Sequence, residues 1–183
     1  MREKYLAVIV PVFNEEGNLK PLVEQICAAL HDLPKSFEIL LIDDGSNDGS
    51  FNEMVACQED HPELRIIKLD KNSGQSEALV AGIRSAKSEL IATLDADLQN
   101  DPADIARLLQ EMGDYDMICG YRANRQDNWW RRFCSRVANS FRRMICPDPV
   151  RDTGCSLKLF KAEVFEHAPF FRGSHRFLAT LAE

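Results

Sequence analysis

Leu90-Ile-Ala-Thr-Leu94-Asp95-Ala96-Asp97-Leu98-Gln99 is the stretch on which the fold of this chain turns. A short, mostly apolar run passes without a break into two carboxylates spaced two residues apart. Such a run, bounded by polar residues, reads as a strand buried on both faces, and strands of that kind belong to parallel sheets covered by helices. The carboxylates then stand just beyond the strand's end, where open α/β sheets place their ligands. Carboxylate oxygens suit Mg2+ or Mn2+, which commonly bind through one or two such groups and complete their shell with substrate phosphates. A solvated pair of turn carboxylates is the plainer reading of D-x-D alone. Its position at the end of an apolar strand raises the metal reading.

The same alternation extends in both directions. Leu6–Val12 reads as a buried strand ending in Pro11-Val-Phe-Asn14. Leu19, Leu22, Val23, Ile26 and Leu30 then recur at helical spacing, with Asn18 as the N-cap. Phe37–Ile42 is a strand closed by Asp43-Asp44-Gly45-Ser46, and a helix over Phe51–Glu59 follows, with its N-cap at Ser50. Arg65–Leu69 is a strand, Ser76–Ala86 a helix, and Pro102 suits the first turn of a helix reaching Met112. Met117–Gly120 and Ser156–Phe160 are further strands, while Trp129–Ile145 is a basic, aromatic helix pattern. Strands separated by helices in this way predict an α/β fold with a mostly parallel sheet flanked by helices.

The 183 residues allow one domain with a substantial core, 45% hydrophobic and 28% charged. The net charge of -7 argues against general nucleic-acid binding. The charge is uneven, however: Tyr121–Lys161 holds eight Arg and two Lys against three Asp, a local balance of +7 on an otherwise acidic chain. Such a face fits a local anionic partner, either a phosphate group or a membrane surface. The six cysteines form no C-x-x-C pair and have no His at metal spacing. With no signal-peptide pattern at the N-terminus, free thiols in a reducing cytoplasm are expected. No apolar run reaches the roughly 20 residues of a membrane span, so any membrane contact is expected at the surface.

Four clusters carry the chemistry in order: Pro11-Val-Phe-Asn14-Glu15-Glu16, Asp43-Asp44-Gly45-Ser46-x-Asp48-Gly49-Ser50, Asn72-x-Gly74, and Asp95-Ala-Asp97-Leu-Gln99-x-x-Pro102. The second and third are first of all turns rich in Asp, Asn and Gly that lead into helices. Taken together, the four closely resemble inverting glycosyltransferases of the GT-A (Rossmann-like) fold. The chain is most similar to the dolichol-phosphate mannose synthase type, and in particular to its bacterial branch that glycosylates polyprenyl phosphates. Gly120-Tyr121-Arg122, Arg125-x-Asp127, Arg131-Arg132-x-x-Ser135-Arg136-x-x-Asn139 and Asp152-x-Gly154-Cys155 match that branch, so the resemblance covers nearly the whole chain.

The resemblance implies that Pro11, Asn14, Glu15, Asp44 and Gly74 line a nucleotide pocket. It implies that Asp95, Asp97 and Gln99 hold Mg2+ or Mn2+ and the diphosphate of a UDP- or GDP-linked sugar. Arg122, Arg131 and Ser135 look like positions that receive an acceptor phosphate or steady the diphosphate. Asp152 is the candidate general base should the acceptor be a hydroxyl. The segment His175-Arg176-Phe177 matches one near the acceptor side. The implied reaction is a single displacement at the anomeric carbon with inversion, onto a polyprenyl phosphate, at the inner face of the cell membrane. Relatives of this kind carry membrane-spanning helices after the catalytic domain, so residues 1–183 are expected to be a single catalytic domain without that segment.

Trp130, Phe133, Val137 and Phe141 share one face, which is either ordinary core or a membrane-interfacial surface set among arginines. Three alternatives remain beside transfer to a lipid phosphate. They are transfer to a soluble sugar hydroxyl, binding of nucleotide sugar without turnover, and a phosphatase or nucleotidyltransferase using D-x-D with Mg2+. The last is disfavoured because no Gly-rich phosphate loop precedes the first helix.

Overall fold

The computed structural model describes residues 4–121 and 155–165, together with Gly173 and Leu178. Strands β1 (Lys4–Val12), β2 (Phe37–Asp43), β3 (Leu64–Lys68) and β4 (Ser88–Thr93) pair in parallel. They alternate with α1 (Leu19–Leu30), α2 (Ser50–Asp60) and α3 (Gln75–Ser85). After α4 (Ala103–Glu111) come β5 (Met117–Cys119), β6 (Lys158–Lys161) and a 3-10 turn at Ala162–Phe165. The order across the sheet is β3-β2-β1-β4-β6-β5. Because β6 opposes both β4 and β5, it is the one reversed strand among the described residues, in a mostly parallel sheet. The elements expected within the described residues are present, with ends shifted by two residues at most. The Trp129–Ile145 helix pattern and His175-Arg176-Phe177 lie outside the described residues.

The continuous apolar character of β1 follows from burial on both sides. Leu6, Val8, Val10 and Val12 enter a core shared with Leu19, Leu22, Val23 and Ile26 of α1, Met54 of α2 and Ile105 of α4. Ala7 and Ile9 enter a second core with Ala78, Leu79 and Ile83 of α3. Phe160 belongs to that second core and meets Phe165 edge to face at 4.7 Å. Helix α3 approaches β1 closely through Gly82, where a Cβ would stand only 2.5 Å from Ile9 Cγ2. No helix among the described residues is long and apolar enough to cross a membrane.

Neither expected N-cap side chain caps its own helix, and α1 is capped from a distance instead. Asn18 occupies the N-cap position of α1 but makes no side-chain cap bond; its amide donates to Glu15 Oε2 at 2.8 Å. The orphan N–H of Lys20 is accepted instead by Glu53 Oε1 at 2.8 Å, so a carboxylate on α2 caps α1. Ser50 is the first residue of α2 rather than its cap, and its hydroxyl accepts from Glu15 N at 2.8 Å.

Cys27, Cys57 and Cys155 are free thiols. Burial, helped by a hydrogen bond to Glu63, pushes the Cys27 thiol up to about 12, so it stays protonated.

Candidate active site

Strand order changes direction at β1: the chain moves outward through β2 and β3, then returns to place β4 on β1's other side. Loops leaving β1 and β4 therefore diverge and open a crevice at their carboxyl ends. A cleft of about 350 Å³ lies there, lined by Pro11 and Val12 at the end of β1, Phe13 and Glu15 just beyond it, Asp44 after β2, and Asn72, Gly74 and Gln75 after β3. Asp95, Ala96 and Asp97 complete it after β4. Residues spread over more than eighty positions of sequence meet because four parallel strands end on one edge.

The first two clusters are stitched to each other. Asn14 N donates to Ser46 Oγ at 3.1 Å, and Asn47 N donates to Asn14 Oδ1 at 2.8 Å. Glu16 N donates to Asp48 Oδ2 at 3.2 Å, while Gly49 N donates to Glu16 Oε2 at 2.9 Å. Hydrogen bonds from the Ser50 side chain and backbone hold the Asp48 carboxyl below its ordinary range. Asn14 sits at φ +57°, a left-handed conformation that Asn tolerates better than most residues. Asn14 thus serves the wall of the crevice and is absent from its lining, whereas its neighbour Glu15 faces the opening.

Asp44 fixes the opposite wall. Ser73 N donates to its Oδ1 at 2.7 Å and Gly74 N to its Oδ2 at 2.8 Å, so two adjacent backbone amides are clamped by one carboxylate. Asp44 is 3% exposed, and burial of a carboxylate is tolerable here because both oxygens accept charge-assisted bonds. Gly45, at φ +74°, lets the chain turn away directly beneath that loop. From the clamped loop, α3 begins with Gln75, whose Nε2 donates to Asp95 Oδ1 at 2.7 Å. Asp95 is therefore oriented from across the cleft.

Asp97 is exposed, and its Oδ1 accepts from Gln99 N at 3.1 Å in a tight turn. Leu98, between them, has φ +59°. A left-handed leucine costs about 1–2 kcal/mol, and strain of this kind collects where a loop must aim particular groups. Beneath the turn, Asn100 Nδ2 donates to Ser156 Oγ at 2.9 Å and Thr93 Oγ1 donates to the Ser156 carbonyl at 2.6 Å. Lys158 Nζ also donates to the Cys155 carbonyl. The residues that lead into β6 thus brace the Asp95–Asn100 loop.

Of the positions singled out by sequence, Pro11, Glu15, Asp44, Gly74, Asp95 and Asp97 gather on the cleft. Asn14 and Gln99 stand outside its lining; Gln99 contributes its backbone N–H to Asp97. Arg122, Arg131, Ser135 and Asp152 lie outside the described residues. Gln75, which orients Asp95, was given no role from the sequence. Its place directly after Gly74, at the start of a helix pattern, was the available signal.

Residues 7–168 match Glycosyl transferase family 2. The chain belongs to that family.

Two curated relatives agree with this placement. A dodecaprenyl-phosphate galacturonate synthase from Rhizobium johnstonii is 39% identical over 177 residues, covering 94% of this chain and 52% of that protein. An undecaprenyl-phosphate 4-deoxy-4-formamido-L-arabinose transferase from Aeromonas hydrophila is 38% identical over 166 residues, covering 89% of this chain and 51% of that protein. The family 2 chain described here thus spans about half the length of the curated relatives it matches.

Among solved structures, glucosyl-3-phosphoglycerate synthase from Mycobacterium tuberculosis, in complex with Mn2+, UDP and phosphoglyceric acid, superposes with a TM-score of 0.76. Sequence identity is 18%, over 96% of this chain and 63% of that one. A mannosyltransferase from Pyrobaculum calidifontis in complex with GDP-Man and Mn2+ gives a TM-score of 0.65 at 22% identity, over 98% of this chain and 52% of that one. At these identities the likeness establishes the GT-A fold of this family 2 chain.

Asp44→Ala should weaken binding of free nucleotide about tenfold or more, because the amides of Ser73 and Gly74 lose their acceptor and the wall they form relaxes. Calorimetry with the nucleoside diphosphate alone measures it. Intact nucleotide binding with lost turnover would instead place Asp44 in the chemical step.

Proposed function

We propose that residues 1–183 form one catalytic domain that moves a sugar from a UDP- or GDP-sugar to a polyprenyl phosphate, with inversion at the anomeric carbon. The observation that carries this reading is the convergence of Asp95 and Asp97 with Glu15, Asp44 and Gly74 on one cleft at the switch point of the sheet. The polyprenyl acceptor is supported by the relatives from Rhizobium johnstonii and Aeromonas hydrophila, a dodecaprenyl-phosphate galacturonate synthase and an undecaprenyl-phosphate transferase.

The donor set fits a hard divalent cation. Asp97 is exposed at the cleft, and Asp95 offers a second carboxylate two residues away. These all-oxygen donors suit Mg2+ or Mn2+ and leave positions for a diphosphate to complete the shell. A cation bound there supplies positive charge against the charge that gathers on the leaving diphosphate. Pro11, Glu15 and the Asp44-clamped loop hold the nucleoside end, and Gln75 keeps the Asp95 carboxylate aimed into the cleft.

In the proposed step, an oxygen of the acceptor phosphate attacks the anomeric carbon. The bond from that carbon to the diphosphate oxygen breaks, and its electron pair leaves with the nucleoside diphosphate. A phosphate monoester is already anionic near neutral pH, so no general base has to remove a proton. The demand falls on cations that bring two anions together in line. Arg122, Arg131 and Ser135 are proposed for that task, on the strength of the +7 balance over Tyr121–Lys161 and the planar fork of arginine. Asp152 is assigned as base only if a hydroxyl is the acceptor.

Nucleoside diphosphate release and labelled-sugar transfer, measured with Mn2+, UDP- and GDP-sugar panels and undecaprenyl phosphate in vesicles, test the proposal. Transfer to the lipid phosphate is expected, and Arg131→Ala should reduce it roughly tenfold to a hundredfold while leaving nucleotide affinity unchanged. Transfer to a soluble sugar alone, in a protein extended past Glu183, would overturn the lipid acceptor. An unaltered rate in Arg131→Ala would remove that residue from the acceptor site.

A further inference from the structure

Far from the cleft, α1 runs back from the carboxyl edge of the sheet toward the amino edge, and its last turns carry Cys27. The turn between α2 and β3 brings His61 and Glu63 beside it. Cys27 Sγ lies 3.5 Å from His61 Nδ1 and 2.9 Å from Glu63 Oε1, and His61 Nδ1 lies 3.6 Å from that same oxygen. We propose that Cys27, His61 and Glu63 form a zinc-binding site, separate from the cleft, that staples α1 to the α2–β3 turn.

The triangle has the right size. Zinc bonds of about 2.3 Å to sulfur and about 2.0 Å to nitrogen and oxygen, at tetrahedral angles, set ligand atoms about 3.3–3.6 Å apart. Two edges of the observed triangle already match. The third, sulfur to oxygen, is shorter because the Cys27 thiol donates its proton to Glu63 there, and opening it by about half an ångström makes room for the ion. Binding exchanges that proton for the metal: the S–H bond breaks, the proton leaves to solvent, and the sulfur's electron pair goes to zinc.

The ligands are also held in place without metal. Leu64 N donates to the His61 carbonyl at 3.0 Å, Ile39 N donates to the Glu63 carbonyl at 2.9 Å, and the residue between the two ligands is Pro62, whose ring fixes its φ. His61 N donates to Cys57 O at 3.1 Å, tying the turn to the end of α2. His61 and Glu63 retain 24% and 23% side-chain exposure, so an ion can enter and a water can take the fourth position. A mixed sulfur, nitrogen and oxygen set favours zinc over Mg2+ or Mn2+, whereas the all-oxygen set at Asp95 and Asp97 has the opposite preference.

The test adds Zn2+, and separately Co2+ as an optical probe, to chelator-stripped protein held in excess Mg2+. One equivalent of Zn2+ should bind and raise the melting temperature, and Co2+ should show thiolate charge-transfer absorption. Cys27→Ser, which keeps a donor to Glu63, and His61→Ala should each weaken Zn2+ binding roughly a hundredfold and abolish or alter the Co2+ spectrum. Their Mn2+-dependent nucleotide binding should match the parent's, which also shows that they are folded. Asp97→Asn should leave the zinc affinity intact. The proposal is overturned if the parent shows no thiolate–cobalt band, if the band survives in Cys27→Ser, or if zinc binding disappears in Asp97→Asn.

Discussion

Asp97→Asn should abolish metal-dependent nucleotide binding, lowering affinity in the presence of Mn2+ roughly a hundredfold, while leaving the protein folded. Asparagine has nearly the same shape as aspartate and keeps an oxygen able to accept the 3.1 Å bond from Gln99 N, so the turn around Leu98 retains its geometry. Asp97 is exposed and lies outside both cores, and exposed substitutions of this kind change stability by no more than about 0.5 kcal/mol. The change removes a unit of negative charge and a hard donor at the place where the cation is proposed to sit. Asp95 cannot compensate alone, because one of its oxygens already accepts from Gln75. Calorimetry with UDP and GDP, with and without Mn2+, provides the measurement, and a thermal melt provides the folding control. Unchanged nucleotide affinity in the variant would disprove the metal assignment.

A second large effect is expected at a position that carries no side chain, directly after Asp44. Gly45→Ala places a Cβ 2.7 Å from Asn72 N and 2.9 Å from Lys71 C, both backbone atoms of the loop that Asp44 clamps. Backbone cannot rotate aside as a side chain can, so the loop must move away from Asp44 or the turn must open. The φ of +74° adds the cost of a left-handed alanine, about 1–2 kcal/mol, to an overpacking cost of about 1–3 kcal/mol. A total loss of roughly 2–5 kcal/mol should appear in urea denaturation, together with weakened nucleotide binding. Gly17→Ala separates the two causes. Gly17 is also left-handed, at φ +87°, but nothing lies within 4 Å of its added Cβ, so only the conformational part should remain. Equal destabilisation in the two variants would show that the contact with residues 71–72 does not matter.

Local pattern determined most of the fold. The unbroken apolar character of Leu6–Val12 and Leu90–Leu94, between helical repeats, has few physical solutions other than strands covered on both faces, and the observed sheet is of that kind. The order of the polar clusters along the chain likewise marked the carboxyl edge, since each follows directly on a strand. What the sequence could not decide was the division of labour within those clusters. Asn14, Glu16, Asp48 and Ser50 read as freely as Glu15 and Asp44, yet Asn14 bonds to Ser46 and Asn47, Asp48 accepts from Glu16 and Ser50, and Glu15 and Asp44 line the cleft. That outcome depends on partners more than 30 residues away, as does the capping of α1 by Glu53 in place of Asn18.

The reversed direction of β6, the brace of Ser156 under Asn100, and the meeting of Cys27 with His61 and Glu63 share this cause. Spacing along the chain showed no metal pattern for any cysteine, because the ligands come from one helix and the turn after another. A local periodicity reports what a residue's own element needs to bury. Only packing the elements together determines which side chains, distant in sequence, come within bonding distance.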